Sequence, residues 1–275
     1  LRWAGFDLLA TANNHSLDMG YEGVVATLDN LERAGLAHVG TSRSLAEQQT
    51  PVVVDIEGIK VGFINHTDSL NGLVPPADKP YAVNRLEFDR VVQDAAMARL
   101  WGAEVVIALL HFGNEYEREP TEKDTELAEE LLASGVDVII GSHPHMVQPI
   151  DHLLEFSGWK ATDKYVVYSV GNFVSAQRWR YSDSGLVAYV HMEKRDLRTY
   201  VTGVSYLPVY VQRSTITGRV AYRVLPVLPG VDPDSDIPAS SADQARMTQV
   251  WEELRPLLYR PNENIAPITR GDLGS

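Results

Sequence analysis

Two of the eight histidines in this 275-residue chain flank a proline, in Gly141-Ser142-His143-Pro144-His145. The pentapeptide follows Val136-Asp137-Val138-Ile139-Ile140, a short apolar run that reads as a buried strand. In extended chain, neighbours-but-one point to the same side, so His143 and His145 are expected to share a side, with Pro144 stiffening the link. Two further apolar runs end in comparable chemistry: "DLLATA" leads into Asn13-Asn14-His15, and "VVIALL" into His111. Imidazole suits zinc, iron, nickel and copper, while amide and carboxylate oxygens extend the range to manganese and magnesium. A sulfur-free His/Asn set has the character of a catalytic rather than a structural zinc site. Each histidine also has a plainer reading as a hydrogen-bonded or solvated residue at a strand end. What favours metal is the recurrence of such residues at three strand ends. His38, His66, His152 and His191 lack that company and are taken as structural or exposed; His66, after "KVGFIN", is the best of them to line the same rim.

The elements that must bring these residues together are legible as alternating periodicities. Phe6 to Ala12, Leu36 to Val39, Lys60 to Asn65, Glu104 to Leu110 and Val136 to Ile140 read as strands. Tyr21 to Ala34, Glu87 to Trp101 and Thr121 to Ser134 have helical spacing, and Gly35 and Gly135 are placed to end the first and last of these. Such alternation implies a mainly parallel sheet covered on both faces. In an open sheet of that kind the carboxyl ends of the strands share one rim, where ligand sites form, and three strand ends of one sheet would converge there. From Lys164 the chain becomes rich in Val and Tyr, which suggests an antiparallel portion. Residues 229–243 read as a polar, Pro-rich linker, and Gln244 to Tyr259 as a last helix that Pro256 shortens or bends. The expected division is one domain over 1–228, the linker, and a helix and tail over 244–275 that pack on the same domain.

Composition narrows the function. Lys+Arg 24 against Asp+Glu 37 gives a formal net charge of -13, which argues against a nucleic-acid or anionic-membrane surface. No cysteine is present, so disulfides, thiolate sites and a cysteine nucleophile are excluded. No apolar run reaches the roughly 18 residues of a membrane span. The chain opens without an initiator Met or a signal peptide and reads as though it begins in mid-fold.

Three stretches carry a wider resemblance: "GFDLLATANNHSLDMGYEGVVATLDNLERAGLAHVGT" (5–41), "LHFGNEYEREPTEKDTELAEELLASGVDVIIGSHPHMVQPID" (110–151) and "YSVGNFV" (168–174). In these the sequence resembles the bacterial CapA-type poly-gamma-glutamate (capsule) biosynthesis proteins of the calcineurin-like metallophosphoesterase superfamily. The resemblance implies an α/β sandwich of mixed β-sheets flanked by helices around two divalent metals (Mn, Fe or Zn). Asn14, His111 and His143 would bind one metal and His145 the other, with His15 assisting the leaving oxygen. Ser16 stands where the superfamily often has Asp, and Asp18 is the substitute orienter of His15. Glu115, Asn172 and Arg178 are placed as residues that contact substrate or support the ligands, with a solvated loop carboxylate an equal alternative for Glu115.

The resemblance also implies an N-terminal strand ending in Gly-Asp and a following Asn-Leu-Glu segment. Neither precedes residue 271 in that role, so the chain is read as an N-terminally truncated fragment, with one metal site rather than two as an option. The expected function of the full-length parent is a metal-dependent phosphoesterase-like hydrolase of capsule biosynthesis, acting on a phosphoester or acidic polymer. The alternatives are a non-hydrolytic polymer-binding or assembly component, with Arg178 and Arg180 as a basic patch, and a fragment inactive because half the metal shell is missing. By resemblance the parent is extracytoplasmic, membrane-associated and a companion of other capsule-synthesis membrane proteins, with no nucleic-acid partner.

Overall fold

The computed structural model describes residues 1–157, 160–216, 218–228, 239–269 and 272. Its centre is a six-stranded sheet in the order β3-β4-β5-β6-β8-β7, built from β3 (Val52–Ile56), β4 (Ile59–Thr67), β5 (Val105–His111), β6 (Val138–Ser142), β7 (Ile150–Ser157) and β8 (Lys160–Val167). The inner strands β4, β5, β6 and β8 run parallel, and the edge strands β3 and β7 run antiparallel to their neighbours. Side chains alternate between the faces, so each inner strand must be apolar on both. On β5, Val106, Ala108 and Leu110 pack against α3 (Phe88–Leu100) and α4 (Glu122–Ala133), while Val105 and Ile107 enter the core on the opposite side.

That opposite side faces a second sheet, in which β10 (Arg198–Ile216) is paired by β9 (Ser184–Arg195), β11 (Arg219–Pro226) and β12 (Ile265–Pro267). Val201, Val204, Tyr206 and Leu225 interdigitate with Val61, Val138, Tyr165 and Val167 of the first sheet. Helix α5 (Ser241–Leu258) seals this core with Val250, Leu254 and Leu258. Ser240 and Asp243 form a reciprocal capping box at its start, which fixes the helix entry. The C-terminal end of the expected linker is therefore helical from Ser241, and its residues 229–238 lie outside the described ones. Pro256 sits in the last turn, and the helix continues to Leu258.

A third, smaller layer holds β1 (Leu8–Ala10), α1 (Gly20–Arg33), β2 (Ala37–Val39) and the short α2 (Leu45–Gln48). Its own core is Ala12, Leu17, Val24 and Leu28 against Leu70, Ala82 and Val83. Here the structure corrects the sequence reading. Among the described residues β1 pairs only with β2, in a separate two-stranded sheet. The strand ends before Asn14, His111 and His143 thus belong to two sheets. Between them lies Asn65 on β4, whose Oδ1 accepts from Ala12 N at 2.7 Å and whose Nδ2 donates to Ala12 O at 3.3 Å and Leu109 O at 2.8 Å. Gly40 makes room for this amide: a Cβ there, at φ +112°, would lie 2.0 Å from Asn65 Oδ1.

Candidate metal centre

The rim of the central sheet is set by register. Thr67, His111 and Ser142 are consecutive partners across β4, β5 and β6, so the chain leaves all three strands at one level. Leaving β1, the third layer brings Asn14 to that level from the side. Asn14 Oδ1 lies 3.0 Å from His111 Nε2, although 97 positions separate the residues. The His143 ring centroid is 4.8 Å from that of His111 and 6.4 Å from that of His145. The structure therefore brings together the four residues singled out as ligands. Among the described residues no three His, Asp or Glu side chains are grouped closely enough to hold a metal ion, and the cluster includes the amide oxygen of Asn14 beside the imidazoles.

The route by which His143 and His145 reach the site differs from the extended chain expected of them. Strand β6 stops at Ser142, and both histidines lie at positive φ, 110° and 60°. Tyr116, across the same turn, is at φ 66° and donates its backbone N–H to Pro144 O at 2.8 Å. Non-glycine residues seldom adopt these angles, and such outliers cluster at functional sites.

Electrostatics favour neutral, metal-ready rings. Burial drives the His111 imidazole down to about 3, with His143, His145 and His15 adding repulsion. Burial also lowers His143, against the opposing pull of Asp68 and Glu115. His143 Nδ1 is buried with no hydrogen-bond partner, an orphan that a buried polar atom seldom remains. That orphan and the sulfur-free N/O donor set fit a divalent cation.

Each remaining donor has an orienting neighbour. Asn14 Nδ2 donates to Asn71 Oδ1 at 3.3 Å, Ser142 Oγ is 2.9 Å from His111 Nδ1, and Asn172 Oδ1 is 3.0 Å from His145 Nδ1. Tyr116 stacks on His145 at 5.6 Å between centroids. His15 is exposed, and its Nδ1 is 2.8 Å from Asp18 Oδ2. Glu115 Oε1 comes within 4.0 Å of His145 Nε2. Arg178 stays in its own loop, donating to Gln177 O at 2.6 Å and lying over Tyr222. His66 does not line the rim: it is fully buried on the α3 side, with Nε2 3.0 Å from Asp94.

Asn71, Ser142 and Asp68 were not singled out from sequence. Asp68 follows β4, its backbone N–H donates to His111 O, and its carboxyl is raised by burial while His143 pulls it down. The available signal was its place one residue beyond a strand end that shares the rim.

These observations define a class, a layered α/β protein with an amide-and-imidazole cluster on the carboxyl rim of a mainly parallel sheet. The model of the bacterial capsule synthesis protein family PGA_cap matches residues 1–177, and the chain belongs to that family. It is 30% identical over 216 residues to the capsule biosynthesis protein CapA of Bacillus anthracis, covering 77% of this chain and 49% of that protein. It is also 30% identical over 199 residues to the PGA biosynthesis protein CapA of Bacillus subtilis (strain 168), covering 70% and 49%. The chain thus spans about half the length of these relatives. Among solved structures, the calcineurin-like phosphoesterase YfkN from Bacillus subtilis is 15% identical with a TM-score of 0.44, over 92% of this chain and 70% of that one. The likeness is too loose to carry an argument. No helix among the described residues is long and apolar enough to cross a membrane.

Proposed function

We propose that this chain is a divalent-cation phosphoesterase-type unit acting in bacterial capsule or poly-gamma-glutamate biosynthesis. The observation that supports it most is the meeting of Asn14 Oδ1 and His111 Nε2 at 3.0 Å, beside the His143 ring, from two different sheets. Asn14, His111 and His143 would hold a cation such as Mn, Fe or Zn, and His145 a second one. Bound there, a divalent cation supplies a Lewis acid for a phosphoryl oxygen and lowers the pKa of bound water.

The chain's own residues carry the rest. Asp18 Oδ2, 2.8 Å from His15 Nδ1, accepts the Nδ1–H and orients the ring. In the imidazolium form, protonated at both nitrogens, the ring gives its Nε2 proton to the departing alkoxide oxygen and keeps Nδ1–H on Asp18, and general acid assistance of this kind contributes about 10²–10⁴-fold. Substrate is a phosphoester or acidic polymer of the envelope, reached outside the cytoplasmic membrane alongside the capsule-synthesis membrane proteins. The net charge of -13 disfavours a nucleic acid. A purely polymer-binding role would lean on Arg178 and Arg180. Arg180 already lies 3.6 Å from Glu253, and Arg178 donates to Gln177 O and lies over the Tyr222 ring, which weighs toward the hydrolase.

Hydrolysis of a chromogenic phosphodiester in Mn²⁺ tests the proposal. His143→Ala and Asn14→Ala should abolish turnover and calorimetric Mn²⁺ binding, and His15→Ala should cut turnover by about 10²-fold or more while Mn²⁺ binding persists. Turnover indifferent to all three substitutions would end the reading.

A further inference from the structure

His111 is held at both ring nitrogens, and the two contacts dictate where its proton sits. Asn14 Nδ2 donates to Asn71 Oδ1 at 3.3 Å, so the amide presents its oxygen, an acceptor only, to His111 Nε2 at 3.0 Å. In a neutral ring Nε2 must then carry the proton, and Nδ1 must accept. Its partner is Ser142 Oγ at 2.9 Å, whose hydroxyl donates. A cation taken by Nε2 needs the opposite tautomer, with the proton on Nδ1. A carbonyl or carboxylate at Nδ1 could serve only that second state. A hydroxyl serves both, because it donates and accepts.

Ser142 also has somewhere to send its proton in the second state. Its Oγ lies 3.5 Å from Leu110 O, one residue before His111 on the same strand. With the His111 proton on Nδ1, Ser142 Oγ accepts from it and the hydroxyl turns toward Leu110 O. Both arrangements keep every buried donor directed at an acceptor. Register holds the pair in place, since His111 and Ser142 are direct partners of β5 and β6.

We infer that Ser142 is a positioning residue whose hydroxyl reverses between donor and acceptor, letting His111 exchange its Nε2–H tautomer for the Nδ1–H tautomer when a divalent cation is bound. This rests on the cation-binding reading above.

The test is nitrogen NMR of ¹⁵N-histidine-labelled protein, with His111 assigned by comparison with His111→Gln, followed by titration with Zn²⁺. Wild type should show protonated Nε2 and bare Nδ1 without metal, and the reverse when zinc-loaded. Ser142→Ala should bind Zn²⁺ about 10–100-fold more weakly, the usual cost of losing an outer partner of a ligand. Ser142→Thr, which keeps the hydroxyl, should restore affinity, which separates the role from a packing defect. Protonated Nδ1 in the metal-free wild type, or Ser142→Ala binding zinc as tightly as wild type, would overturn the assignment to Ser142 and leave the cation site standing. A wild type that takes up no zinc would overturn the cation reading itself, and the switch with it.

Discussion

At the scale of single residues, His143 is the costliest position in the site. It combines a φ of 110° with a buried Nδ1 that no hydrogen bond satisfies. Backbone outliers of this kind cost about 1–3 kcal/mol, and glycine escapes that cost. His143→Gly and His143→Ala both remove the imidazole, yet only glycine relieves the backbone, so the glycine variant should be about 1 kcal/mol the more stable in urea unfolding. Equal midpoints would show that the surroundings, not the residue type, set the angle. Sequence made the histidines of the "SHPH" turn conspicuous as residue types and mistook how they are presented. A period-2 argument assumes extended chain, and the strand ends one residue earlier. Nor could periodicity reveal Ser142 and Asn71, because a supporting hydroxyl or amide has no spacing of its own. Its role exists only once another segment arrives beside it.

At the scale of elements, the helices were the most legible, since an apolar stripe and a stop signal act within one segment. Tyr21 to Ala34 was expected and Gly20–Arg33 is found; Thr121 to Ser134 was expected and Glu122–Ala133 is found. Strand β3 escaped notice, an antiparallel edge closed by a tight turn at Glu57 and Gly58, both at positive φ. The membership of β1 in its own sheet was also beyond periodicity, because pairing is chosen by the side chains between strands. Asn65 makes that choice visible. Asn65→Ala removes three hydrogen bonds, two of them buried, and should destabilise the protein by about 2–4 kcal/mol, measurable by denaturant unfolding, with loss of cation binding at temperatures where the main sheet stays folded.

A tie between the central sheet and the β9–β10 sheet runs through Glu104, which accepts from Lys194 at 2.7 Å, Thr199 Oγ1 at 3.1 Å and Lys60 N at 3.0 Å. The Lys194 hydrogen bond foremost, then the Lys60 N–H, holds the carboxyl at about 2, against an ordinary value of 4.5. Its contribution is complete above the unfolded value and is lost as pH falls toward the folded one. Glu104→Gln should therefore lower the thermal midpoint at pH 7, and the gap to wild type should close between about pH 4.5 and 2. A gap independent of pH would mean that charge has no part in the tie.

At the scale of the whole molecule, the chain carries a formal net charge of -13. Such a field draws cations in and repels polyanions, and salt screens it from about 30 Å at 0.01 M to about 8 Å at 0.15 M. The Mn²⁺ association rate should fall as ionic strength rises through that range, while poly-gamma-glutamate binds weakly unless Mn²⁺ is supplied. Polymer retention in chelator, equal to that in Mn²⁺, would contradict this. Charge was fully legible in composition, and its bearing on the fold was nil.

The mooring of the small layer has a further consequence. Asn14 and His15 ride on a small core of their own, whereas His111 and His143 are anchored in the main body, and the two are joined by Asn65, by the Thr41–Val83 bridge and by the backbone bonds Ser42 N–H to Ala82 O and Asn84 N–H to Gly40 O. Warming that opens those local ties would part the donors while the central sheet holds, so the centre would come undone at a lower temperature than the body that carries it.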